Sequence, residues 1–111
     1  ASARLDRAAD AINSCTRAIA ANQAFFRPYL FRGKLHLERG NLEIAEQDLS
    51  ASNRLLPTAD ATFGLGEIAQ LQGDTRTALR HYRAVANSRS SLAPAARERI
   101  ARLGSGATTT P

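Results

Sequence analysis

Apolar residues recur at every third or fourth position along nearly the whole chain, in stretches separated by short breaks containing Gly, Pro or Asn. That spacing predicts six helices, over residues 5–21, 27–39, 42–55, 59–72, 75–87 and 92–103. The first carries a stripe of Ala8, Ala11, Ile12, Cys15 and Ile19, and the third buries Leu42, Ala45, Leu49 and Ser52. Pro28 and Pro94 fall in opening turns, where a missing N–H is no loss. Gly40-Asn41 and Gly73-Asp74 each join a residue suited to the left-handed conformation to a side chain able to accept from exposed helix N–H groups. One helix can end at such a pair and the next begin. Leu56-Pro57-Thr58 is a further break, with Thr58 as an N-cap. Residues 87–91 read as a loop, and residues 104–111, which lack large apolar side chains, as a disordered tail.

The elements are copied. Gly33, Gly40, Ala45, Leu49 and Pro57 reappear as Gly66, Gly73, Ala78, Tyr82 and Ser90, each pair 33 positions apart. Glycine inside a helix costs about 1 kcal/mol relative to alanine. Gly33 and Gly66 therefore predict a neighbouring helix lying close against the backbone. A repeat of this length buries too little on its own and gains stability by stacking on its neighbours.

With Tyr29, Arg32-Gly33, His36, Ala45, Leu49 and Pro57 in one unit, and Thr62, Leu65-Gly66, Ala69, Ala78 and Tyr82 in the next, the chain resembles the tetratricopeptide repeat (TPR) family. The resemblance implies an all-α fold, an α-α superhelix (TPR-like solenoid) of about two and a half repeats plus a C-terminal capping helix. The repeat domain covers residues 1–103: a half-unit at 5–25, units at 26–58 and 59–90, and the cap at 91–103. The half-unit, Ala11-Ile12-x2-Cys15-x2-Ala18-Ile19, looks like a second helix without its first.

In proteins of this kind the first helices of successive units line a groove that holds a peptide or partner segment. The corresponding groove residues here are Leu30, Lys34 and Leu37 with their counterparts Phe63, Glu67 and Gln70, flanked by Arg27 and Glu38. The alternative for the same residues is that Leu30, Leu37 and Phe63 complete the core while Lys34 and Glu67 form an exposed ion pair worth at most about 1 kcal/mol. The carboxylate clamp of chaperone-binding members is not matched, because Leu30 and Phe63 fill places that need polar donors.

The tract from Leu56 to Asp74 also resembles bacterial repeat segments that lie C-terminal to membrane-associated or periplasmic zinc proteases. Such a segment would recruit substrates or an assembly machine for a larger enzyme. The absence of an initiating methionine at Ala1 agrees with a piece of a longer chain. An upstream domain or a second copy is expected to cover the first helix.

Composition narrows these readings. The chain has 111 residues, enough for one domain, and its hydrophobic share of 43% is rich in alanine, which favours closely packed helices. No run approaches the ~18 apolar residues of a membrane span, and no signal-type start is present; bacterial cytoplasm and periplasm both stay open. The net charge of +5 comes mostly from arginine, with Arg76, Arg80 and Arg83 on one helix face and Arg97 and Arg102 in the last helix. Without interleaved aromatics for base stacking, that face reads first as solvated, with a basic nucleic-acid binder as a further alternative. Cys15 reads as an inert small hydrophobe. His36 takes the aromatic core position, and His81 is expected on an outer face among arginines. No HExxH, phosphate loop, nucleophile elbow or metal spacing occurs, so catalysis, cofactor, metal and small-molecule substrate are not expected. The leading reading is a protein-interaction module.

Overall fold

The computed structural model describes the backbone of residues 2–109 and the side chains of residues 7–104. The fold is all-α. Its helices are α1 (Ser2–Ala21), α2 (Phe26–Glu38), α3 (Leu42–Leu55), α4 (Ala59–Leu71), α5 (Thr75–Ala86) and α6 (Ala93–Thr109). Among the described residues there is no strand, and no helix is long and apolar enough to cross a membrane. The chain divides into two compact units, Ala1–Pro57 and Thr58–Pro111.

Each unit contains the same helix hairpin. In the first, α2 and α3 run antiparallel, as the pairs Arg32 with Asp48 and His36 with Asn41 require. The turn between them places Gly40 at φ +80°, with its N–H donating to the Leu37 carbonyl and the Asn41 N–H donating to the His36 carbonyl. In the second, Gly73 also has φ +80°, and the same two bonds reach Gln70 and Ala69, each 33 positions on. Only glycine adopts that conformation without strain, and the two bonds satisfy carbonyls that a helix end otherwise leaves open.

The mid-helix glycines explain why the hairpins close so tightly. A Cβ on Gly33 would stand 2.8 Å from Leu49 Cδ2 and 3.1 Å from Asp48 Cβ. A Cβ on Gly66 would stand 2.7 Å from Tyr82 Cε1 and 3.3 Å from His81 Cβ. The contacts correspond residue for residue at the repeat offset. Leu49 and Tyr82 are fully buried, as are Ala45 and Ala78 one turn earlier. Gly33 and Gly66 are thus the holes, and Leu49 and Tyr82 the side chains that fill them.

Three local expectations change. Thr58 and Asp74 cap α4 and α5 by accepting from the Ala61 and Thr77 N–H groups, but Asn41 makes no side-chain cap. Its amide is turned back to His36 Nδ1 at 3.3 Å. The last helix does not stop at Leu103: α6 continues to Thr109 through the stretch expected to be a disordered tail. Extending a helix adds one hydrogen bond per residue ordered, so glycine and threonine can follow where an established helix leads. Residues 110 and 111 of that stretch lie outside the described residues. His81 is half-buried and lies toward α4, because the residue preceding a hole-filling side chain also meets the partner helix.

Ser52 is wholly buried, and its hydroxyl has no hydrogen-bond partner among the described residues. Its repeat counterpart is Val85, equally buried and apolar. An unmet buried hydroxyl costs free energy and alanine is the better helix former, so Ser52→Ala should stabilise the protein by about 1 kcal/mol. The check is a higher midpoint in urea unfolding at unchanged slope.

Candidate functional site

In unit 1, α2 packs against α3 on one side and α1 on the other, and the α1 side stays open. A cleft of about 460 Å³ lies there, lined by Ala11, Ser14, Cys15, Phe31, Lys34, Leu35 and Glu38. Toward the start of α2 it adjoins a second hollow that shares Ser14, Cys15 and Phe31 and adds Ala18, Phe25, Arg27 and Pro28. Small residues on α1 create the space. Phe31 is 53% exposed and Phe25 45% exposed, so two aromatic side chains face water along the same depression. Arg27, Lys34 and Glu38, all exposed, carry the charge along its α2 edge.

The floor is held rigid from behind. Arg32 donates from Nε and Nη2 to both carboxylate oxygens of Asp48, each at 2.8 Å, and from Nη1 to Thr16 Oγ1 at 3.2 Å. One guanidinium therefore links α1, α2 and α3. The Asp48 side chain is only 6% exposed, so a paired guanidinium is what makes its charge tolerable there. Burial raises the pKa of the Cys15 thiol, with Arg32 opposing and Asp48 reinforcing the shift. The thiol stays protonated at neutral pH and serves as apolar lining rather than as a nucleophile. Burial lowers the pKa of His36 and keeps its ring neutral, in agreement with Nδ1 accepting from Asn41.

Of the eight residues singled out from the sequence, Arg27, Lys34 and Glu38 meet at this cleft. Leu30 does not: it is 7% exposed and belongs to the core, and Leu37 is half-buried outside the cleft lining. The residues that sequence reasoning missed are Phe31, Leu35 and Phe25. Their signal was present in the 3–4 spacing of Arg27, Phe31, Lys34, Leu35 and Glu38. It was masked because α2 also carries apolar residues on the side that meets α3.

The three candidates in unit 2 are engaged with α5 and α6. Phe63 packs against the core built on Tyr82, Val85 and Ala96, its ring 5.4 Å from that of Tyr82. Gln70 Oε1 accepts from the Tyr82 hydroxyl at 2.7 Å. Glu67 accepts from Arg99 Nη2 at 3.2 Å, and the same guanidinium donates from Nη1 to the Tyr82 hydroxyl and lies 5.1 Å over the Phe63 ring. Burial drives the Tyr82 pKa upward against the opposing pull of Arg99, so its hydroxyl remains a donor. Arg76, Arg80 and Arg83 are exposed on α5, while Arg97 donates to the Ala86 carbonyl and Arg102 pairs with Glu98 one turn back.

Compared with known proteins, the chain matches no family model and no curated sequence.

Proposed function

We propose that this protein is an interaction module of the tetratricopeptide type, and that it holds a partner segment in the cleft between α1 and α2. The observation that carries this reading is Phe31: a large aromatic side chain, more than half exposed in the middle of a helix, above a hollow walled by alanine, serine and cysteine. An apolar depression with mixed charges on its edge is suited to anchoring one or two apolar side chains while its rim sets orientation. The repeat correspondence of Gly33 with Gly66, and of Leu49 with Tyr82, supports the family reading. Recognition on this account is reversible and involves no covalent chemistry.

Selection from a display library of random peptides tests the proposal. Clones retained by the wild-type protein should lose binding by about tenfold or more to Phe31→Asp, the usual scale for an interface anchor. Circular dichroism should show the variant as helical as the parent. A library yielding no clone whose binding depends on Phe31 would contradict the assignment.

A further inference from the structure

We infer that the outer face of α5 is a second docking surface, and that it receives an acidic helix whose carboxylates recur at intervals of four and three residues. The surface lies within unit 2 and is independent of the α1–α2 cleft.

Helix α5 has two unlike sides. Ala78, Tyr82 and Val85 are buried where α4 and α6 meet, those two helices being joined by Glu67 and Arg99. Arg76, Arg80 and Arg83 recur at four and three residues on the opposite side, and all three are exposed. None of them makes a hydrogen bond or ion pair among the described residues. Asp74 lies close enough for Arg80 and Arg76 to favour its ionised form, but its carboxylate caps α5 by accepting from the Thr77 N–H. One anion set against three cations leaves the face positive.

The repeat shows that the fold does not require this charge. The counterparts in unit 1, 33 positions earlier, are Glu43, Gln47 and Ser50 on α3. That hairpin closes through the same glycine contact with an anion and two neutral residues on the stripe. Glu43 stands in the first turn of α3, where the helix dipole favours a negative charge. Arg76 takes the same place in α5, where the dipole disfavours it, and arginines one turn apart repel each other. The stripe runs against the local preferences of its helix, and an anionic partner relieves both effects.

Guanidinium groups suit carboxylates because they can offer two parallel N–H donors. The three cations cover about 10 Å of helix axis, so a helix laid alongside can meet them one to one with carboxylates in the same rhythm. In an extended chain the side chains on one face are about 7 Å apart and fall out of step. A single-stranded nucleic acid fits less well, because the aromatic rings of unit 2, Phe63 and Tyr82, are committed to the core and leave none for base stacking.

The test is an NMR titration of the full chain at low ionic strength with two helix-stabilised peptides of about 14 residues. One carries three glutamates spaced four and three apart; the other has the same composition with the glutamates scattered around the helix. The striped peptide should move the amide resonances of residues 75–87 and bind about tenfold more tightly than the scattered one, the sum expected of three exposed ion pairs. Arg80→Glu should abolish that preference. Arg54→Glu, an equal change of charge at an exposed site on α3, should leave it intact. Equal affinity for the two peptides, or an equal loss in both variants, would reduce the effect to net charge and overturn the inference. Resonance changes confined to other helices would overturn it as well. A DNA duplex of about 20 base pairs that moves the same resonances and binds more tightly than the striped peptide would assign the face to a phosphate backbone instead.

Discussion

Arg32→Leu should destabilise the protein by about 3 kcal/mol, the scale expected when one partner of a buried ion pair is removed. The substitution leaves the Asp48 carboxylate in a site where its side chain is 6% exposed, without the two 2.8 Å hydrogen bonds that hold it. It also removes the hydrogen bond by which Thr16 of α1 reaches the same guanidinium. The repeat supplies the remedy. The counterparts of Arg32 and Asp48 in the second unit are Leu65 and His81, so the same hairpin forms there with a leucine and a histidine at the positions of the pair. Adding Asp48→His to Arg32→Leu should therefore recover most of the loss, with a coupling between the two sites of about 2 kcal/mol. Urea unfolding of the wild type, both single variants and the double variant measures this directly. A single variant within about 0.5 kcal/mol of wild type would mean that the pair behaves as an exposed one.

Gly66→Ala should destabilise by about 2 kcal/mol even though alanine favours a helix interior by about 1 kcal/mol. The added methyl would lie 2.7 Å from Tyr82 Cε1 and 2.9 Å from Cδ1, so something must move. The ring has little freedom to do so. It is fully buried, its hydroxyl is bonded to Gln70 and Arg99, and one face packs near Phe63. Gly33→Ala should have the same sign and a smaller size, because Leu49 can change rotamer where a rigid ring cannot. Gly104→Ala is the control: nothing lies within 4 Å of its added methyl, so stability should stay level or rise. In a Tyr82→Leu background the penalty of Gly66→Ala should shrink, since the atoms it strikes are gone. A Gly66→Ala protein as stable as the Gly104→Ala protein would show that α4 and α5 do not approach this closely.

The framework of the fold was readable because it depends on residues with few alternative explanations. A glycine kept inside a helix at a cost, and repeated 33 positions later, signals close approach before any coordinates are known. Gly40 and Gly73 mark their turns for the same reason, through a backbone conformation that other residues resist. The Arg32–Asp48 pair was not read, because 16 positions separate the two and no local pattern joins them. Its trace lay in the register: each precedes by one a residue of the Gly33–Leu49 contact. The role of Arg99 was hidden because it acts from α6 onto α4, across a loop the repeat does not specify.

The candidate site was read only in part. Arg27, Lys34 and Glu38 line the hollows between α1 and α2, where Phe31 and Leu35 supply the apolar lining, while Leu30 lies in the core and Leu37 outside that lining. Helix α2 has apolar side chains facing both α1 and α3, so periodicity does not say which side is filled. That depends on how large the opposing side chains are. The answer comes from α1, where Ala11, Ser14, Cys15 and Ala18 leave a hollow that α3, with Leu49, does not.

The account stands on one helix hairpin made twice, each closed by a large side chain seated on a glycine. Nuclear Overhauser spectroscopy on protein labelled at glycine, leucine and tyrosine tests it most directly. The expected spectrum contains both sets of cross-peaks, from the Gly33 α-protons to the Leu49 methyls and from the Gly66 α-protons to the Tyr82 ring. A spectrum holding only one set, or linking either glycine to some other side chain, would contradict the claim that the two units share one design.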